Sequence, residues 1–277
     1  MVTKEHLKKA LAELGLQPYD SVIIHSSLKS FGEVDGGADT IIDAFIEFLS
    51  EGTVLFPALR TNDFKNAYKD WDINTTPSDV GLISETFRLR EGVVRSDQAT
   101  HSVCAYGRDA LFYTSDHGGG TLRKGPFGET AFTTHSPWQK MYEKGAKIIM
   151  LGVPLKYSTM KHFAESKLMN NILDGLSGDE LKEAVDSLAN FDDHVSAIAG
   201  TGWRGKAWPW YDGIKYQEFL DSKGLIKHAQ CGECSILCVD AIPFVDNLYN
   251  ELRYRPENWV KQTCAEWIEK YRHALKD

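Results

Sequence analysis

The segment TMKHFAE places His162 three residues before Glu165. On a helix that spacing puts both side chains on one face, where a carboxylate can reach a ring nitrogen of the imidazole. A histidine titrates near neutrality, and a carboxylate partner raises its basicity and fixes its orientation, so the ring can take a proton from an attacking nucleophile. The chemistry expected of this pair is general base catalysis. The same spacing also occurs in ordinary couples on a solvated helix face, so the fold around the pair decides its meaning. Thr159, one turn earlier, adds a hydroxyl at the same mouth.

A second stretch, IIHSSLKSFGEVDGG over residues 23–37, runs from a strand-like segment through a serine-rich turn to a helix start at Gly36 and Gly37. Loop amides and a helix N-terminus bind phosphate oxygens, with Lys29 adding charge and Ser26, Ser27 and Ser30 adding hydroxyl donors. Neither G-x-x-x-x-G-K-[ST] nor G-x-G-x-x-G occurs here, so the familiar nucleotide loops are excluded.

Other constellations are weaker. His228, Cys231, Cys234 and Cys238 can be read as a zinc cluster, but structural zinc sites draw ligands from two separated knuckles. The run SILCVDAIPFV instead reads as a buried strand in which cysteine is a small apolar residue. His117 opens HGGGT, which resembles an esterase oxyanion loop, yet the G-x-S-x-G elbow of that chemistry is absent. His25 ends a strand and reads as structural. His135 precedes a helix cap and reads as packing.

The elements that must position these residues alternate. HLKKALAEL has helical period, SVIIH is a β-branched strand, ADTIIDAFIEFL returns to helical period and TVLFPAL is a strand. SDVGLISETFRLR predicts a helix capped by Ser78 or Asp79, and SPWQKMYEKG one capped by Ser136, begun by Pro137 and stopped by Gly145. THSVCAYG reads as a strand. AKIIMLGV is the clearest buried strand, so His162 falls just beyond a sheet edge. The β-then-α rhythm predicts an α/β sheet with helices on its faces. The whole chain, 1–277, reads as one domain, with a lid or insertion around 170–212 rich in Trp and Gly. Its aromatics suit packing on the main domain, a substrate or a homodimer.

Of 277 residues, 42% are hydrophobic and 25% charged, enough for a sizeable core. A net charge of -8 argues against nucleic acid as partner, since phosphate neutralisation needs surplus Lys and Arg. The N-terminus mixes Lys and Glu through its apolar positions, unlike a signal peptide, and no apolar run has membrane-spanning length. Five cysteines, an odd number, suit reduced thiols. The chain is expected in the cytoplasm, away from membranes.

Five stretches, HSSLKSFGEVDGG, TTPSDVGLISETFRLREGVVRSDQATHSVCAYG, GPFGE, SPWQKMYEKGAKIIMLGV and TMKHFAE, occur in an order and spacing that resembles the aminoglycoside 3-N-acetyltransferase family. The resemblance is close over residues 4 to 165 and looser beyond. It implies a three-layer α-β-α fold distinct from the common N-acetyltransferase fold, acetyl-CoA as donor, no metal, and acetyl transfer to an amine of an aminoglycoside antibiotic or related aminosugar. It further implies that Ser26, Ser27, Leu28, Lys29, Ser30 and Val34 hold the coenzyme's phosphates and pantetheine arm. Arg95, Thr100, His101 and Ser102 would line the donor cleft. His162 would be the base and Glu165 its orienting acid.

A polycationic acceptor calls for carboxylates, and Asp79, Asp192, Asp193 and Asp212 are candidates alongside Thr159. Residues 170–212 depart most from the family, and Arg204 and Lys206 stand where such an acceptor would want acids. A non-antibiotic amine metabolite, or a silent acetyl-CoA-binding protein, is therefore the alternative.

Overall fold

The computed structural model describes residues 1–60, 67, 69–117, 131–188, 210 and 212–276. At its centre is a seven-stranded mixed sheet of order β3-β4-β2-β1-β5-β7-β6. The strands are β1 (Ser21–Ser26), β2 (Thr53–Pro57), β3 (Val94–Arg95), β4 (Val103–Gly107), β5 (Lys147–Leu151), β6 (Lys227–Cys231) and β7 (Cys234–Asp240). β1 pairs parallel with both β2 and β5, while β4 and β7 run antiparallel on either side of that trio.

Because successive strand residues face opposite sides, the apolar runs in β1, β2 and β5 feed two separate cores. Val22, Ile24, Val54, Phe56, Ile149 and Leu151 face one side, packed by α1 (Lys4–Glu13), α2 (Gly37–Phe48) and α3 (Leu82–Arg88). Ile23, Leu55, Ile148 and Met150 face the other. That side is covered chiefly by α5 (Pro137–Glu143), α6 (Met160–Gly175), α8 (Gly213–Ser222), α9 (Ala241–Tyr254) and α10 (Gln262–Tyr271), with α4 (Ala110–Thr114) and α7 (Gly178–Ser187) beside them. The result is an α/β fold with helices on both faces of the sheet.

Local signals account for several boundaries. Ser136 caps α5, accepting from the Gln139 amide at 3.2 Å, with Pro137 in the first turn and Gly145 beyond the end at φ +64°. The expected cap of α3 is corrected: the helix begins after Gly81, not at Ser78 or Asp79. Glu85 reaches back from the first turn to accept the Ser78 amide at 2.8 Å, so the residues before Gly81 close a loop. The run SILCVDAIPFV likewise divides at Asp240, where strand β7 gives way to α9. Among the described residues no helix is long and apolar enough to cross a membrane.

Candidate active site

β2, β1 and β5 all end on one side of the sheet, and the antiparallel β4 and β7 begin there. Chain order reverses around β1, which has β2 on one flank and β5 on the other, so the mouth between β1 and β5 is the switch point where open α/β sheets bind ligands.

The serine turn leaves β1 directly into this mouth. Ser27 donates its amide to the Leu151 carbonyl at 2.9 Å, and Leu28–Phe31 form one tight 3-10 turn. The Ser30 hydroxyl donates to the Ser27 carbonyl at 2.7 Å and lies 3.2 Å from the Cys234 sulfur. Gly152, just past β5, accommodates this approach: a Cβ there would fall 1.9 Å from Ser30 Oγ. Lys29 is exposed, while Ser26, Ser27 and Leu28 are half-buried. Val34 forms a parallel bridge with Val2, which ties the turn's far end to the N-terminus.

Beyond β5 the chain makes a short 3-10 turn over Leu155–Tyr157 and enters α6 through Thr159. Thr159 is buried, and its carbonyl accepts the amides of His162 and Phe163 at 3.0 and 3.3 Å. His162 Nδ1 lies 2.9 Å from Glu165 Oε2, with the histidine side chain 23% exposed and the glutamate fully buried. The other carboxylate oxygen, Oε1, accepts from the Trp210 indole N–H at 2.6 Å. A carboxylate so far from water needs designated donors, and Glu165 has one on each oxygen. Burial lowers the Lys161 ammonium below its ordinary range, with Glu165 opposing the shift, and this ammonium sits 5.2 Å above the Trp210 ring.

Asp212 caps α8, accepting the Ile214 amide at 2.8 Å. Gly213 beside it abuts Lys156 closely enough that a Cβ would lie 2.9 Å from the Lys156 Cβ, which brings Asp212 to the turn before α6. Asp79 donates its amide to the Leu59 carbonyl at 3.0 Å, and Gly81 lies against the Ser26 carbonyl. Asp192, Asp193, Arg204, Lys206, the GPFGE stretch and Gly118–Thr121 lie outside the described residues.

Arg95, Thr100, His101 and Ser102 sit at the same end, beside β2. Arg95 donates to Ser102 Oγ at 2.9 Å, to the Ala58 carbonyl at 2.7 Å and to the carbonyls of Ile73 and Thr76, with Trp71 stacked 4.5 Å away. Its burial lowers the guanidinium to about 10. Gln98 Oε1 accepts the amides of Thr100 and His101, and His101 Nδ1 lies 2.8 Å from Thr100 Oγ1. These side chains hold the loops together.

Two residues escaped sequence reasoning. Trp210 reaches Glu165 across 45 positions, with no local pattern to announce it. His117 is buried, its Nδ1 2.8 Å from Ser96 Oγ and its Nε2 donating to the Ala131 carbonyl at 3.0 Å, which ties three segments together. The cysteine stretch forms the β6–β7 hairpin, with Cys231 and Cys234 paired across a two-residue turn. No group of three or more His, Cys, Asp or Glu able to hold a metal converges among the described residues.

The structure is thus a mixed α/β sheet with helices on both faces that carries, on α6, a histidine bonded to a buried carboxylate. A family model, that of the aminoglycoside 3-N-acetyltransferases, matches residues 23–252, and the chain belongs to this family. The aminoglycoside N(3')-acetyltransferase-like protein YokD of Bacillus subtilis (strain 168), from its SPbeta prophage, is 31% identical over 187 residues, covering 60% of this chain and 65% of its own. Aminoglycoside N(3)-acetyltransferase VII of Streptomyces paromomycinus is 28% identical over 183 residues, 60% of each chain. The chain thus spans less than two thirds of these relatives' length. Among solved structures, AAC-IIIb in a binary complex with CoASH superposes with a TM-score of 0.67 at 22% identity, over 91% of this chain and 97% of that one. The apoenzyme of AAC(3)-IVa reaches 0.70 at 19% identity, over 99% and 98%. AAC-VIa bound to sisomicin reaches 0.66 at 19%, over 91% and 98%. At these identities the likeness is one of fold.

Proposed function

We propose that this protein is an acetyl-CoA-dependent N-acetyltransferase acting on an amine of an aminoglycoside or related aminosugar. The observation that carries the reading is His162, held through Nδ1 by the buried Glu165 on α6, the helix that follows β5, while the serine turn follows the neighbouring strand β1. With Nδ1–H donating to the carboxylate, Nε2 is the unprotonated nitrogen of the neutral ring and the one that can take a proton. The amine lone pair attacks the thioester carbonyl and forms the C–N bond, the carbon–sulfur bond breaks, and the amine's proton passes to His162 and on to the departing thiolate, so that the coenzyme leaves as its thiol.

The 26–30 turn suits a coenzyme diphosphate in its chemistry. Lys29 is exposed, the first amides of α2 take no side-chain cap, and Arg90 pairs with Asp39 and Asp43, offsetting acidic charge on the first two turns of that helix. Ser26, Ser27, Leu28, Ser30 and Val34 shape the turn, and Arg95, Thr100, His101 and Ser102 brace the loops facing it. Thr159, Asp79 and Asp212 stand at the acceptor side, with Asp192 and Asp193 assigned there by the same reading. The segment around 170–212, of which 189–209 and 211 lie outside the described residues, is assigned by the same reading to the single domain and to the acceptor side. Use of acetyl-CoA makes the cytoplasm the compartment of action.

The deciding experiment is thiol release from acetyl-CoA across aminoglycosides, simpler aminosugars and unrelated amines. Turnover with at least one amine supports the reading. Calorimetric binding of coenzyme A with no thiol release for any amine would leave a silent coenzyme-binding protein instead.

A further inference from the structure

The carboxylate that steadies His162 is itself held from 45 positions further along the chain. Glu165 is fully buried, and a carboxylate in that position is costly unless each oxygen meets a donor. His162 serves Oε2 at 2.9 Å, and the Trp210 indole serves Oε1 at 2.6 Å. Two donors on two different oxygens fix the rotation of the carboxylate plane, and hence the direction in which Oε2 faces the imidazole.

Trp210 is well anchored for such a task. Its backbone bridges Val260, and its ring lies 6.4 Å from Tyr216 and 6.5 Å from Trp259, the latter edge-on. Both partners are buried and hydrogen-bonded, Tyr216 to the Phe244 carbonyl at 2.5 Å and Trp259 to Glu251 at 3.1 Å. The Lys161 ammonium lies against the indole face at 5.2 Å, a cation–π contact that further restricts the ring.

We propose that Trp210 is a positioning residue for proton transfer at His162: its indole N–H pins Glu165 so that the carboxylate keeps the imidazole proton on Nδ1 and Nε2 unprotonated. The effect on turnover rests on the acetyl-transfer reading above, whereas the effect on the ring does not. The C-terminal aromatic cluster thereby sets the geometry of a base located on α6.

The test uses Trp210→Phe, which keeps an aromatic ring and deletes the N–H. In the full chain, kcat is expected to fall on the order of 10-fold, with KM for acetyl-CoA changed by less than about 2-fold, the pattern of a lost interaction that matters only in the transition state. In a Glu165→Ala background the same substitution should cause no further loss, because its only route to the base has been removed. Independently of substrate, the imidazole 15N spectrum of His162 at a pH where the ring is neutral should shift from the Nδ1–H tautomer toward a mixture. A kcat within about 2-fold of wild type, an equal loss in both backgrounds, or an unchanged tautomer overturns the proposal. A tautomer shift in a protein that acetylates no amine upholds it while the acetyl-transfer reading falls. If Trp210→Phe fails to fold, benzothienylalanine at position 210, which replaces the N–H by sulfur in a ring of the same shape, decides the matter on the same measurements.

Discussion

His162 and His117 are both histidines with Nδ1 committed to a neighbour, at 2.9 and 2.8 Å, yet they stand in opposite surroundings. Around His117 every group is part of a closed chain. The Val103 amide donates to Ser96 Oγ, Ser96 donates to Nδ1, and Nε2 donates to the Ala131 carbonyl, so the ring is neutral with both nitrogens occupied. Burial pushes this histidine down to about 4. Arg95 nearby is likewise taken up by four oxygens. Around His162 the partner is a carboxylate, the ring keeps contact with solvent, and the rigidity comes from behind. A polar residue can act on a ligand only when its environment fixes its orientation and still leaves it in contact with solvent.

The sharpest way to break this contrast is to remove each centre and see what fails. Replacing His162 by Ala should reduce turnover by roughly 100-fold or more, with coenzyme A affinity by calorimetry nearly unchanged. Full activity in that variant would sink the base assignment. Arg95→Met should act on stability instead. Removing the guanidinium takes its donor from the Thr76 carbonyl and leaves Ala58 only the Ser102 hydroxyl, which is expected to cost about 2 kcal/mol, read as a lower urea midpoint at constant slope.

A pH series separates the two kinds of histidine without any mutation. His25 and His117 have folded values of about 4 against 6.5 when unfolded. The unfolded chain therefore binds more protons across that window. Stability should be intact above about 6.5 and fall as the pH drops toward 4, at roughly 1.4 kcal/mol per unit for each ring. A denaturation free energy flat between pH 7 and 5 would contradict the buried, neutral assignment of both. The smallest effect is expected at Lys29, exposed on the serine turn. Its replacement by Ala should raise KM for acetyl-CoA by about 5-fold, and added salt should narrow the difference.

Much of the framework could be read from local pattern. SVIIH, TVLFPAL and AKIIMLGV became β1, β2 and β5 because unbroken apolar runs suit strands buried on both faces. Ser136, Pro137 and Gly145 bounded α5 because capping is decided within a few residues. The start of α3 was misplaced for the complementary reason: Ser78 is held by Glu85, a contact that the run of residue types around it does not single out. At the site, His162 and Glu165 were legible because helical spacing alone brings them together. Trp210 and the Arg95 network depend on contacts between distant segments, which periodicity does not encode.

The pairing of β1 with β5 has a further consequence for how the protein comes into being. His25 lies opposite Met150, so the serine turn and the exit of β5 become neighbours only when this long-range register closes. Helices and the β6–β7 hairpin can form from nearby residues, but the junction of β1 and β5 has no partial version. During refolding, helical signal should therefore recover before ligand binding, and a chain halted before residue 147 would have made the turn without the strand that completes its cleft.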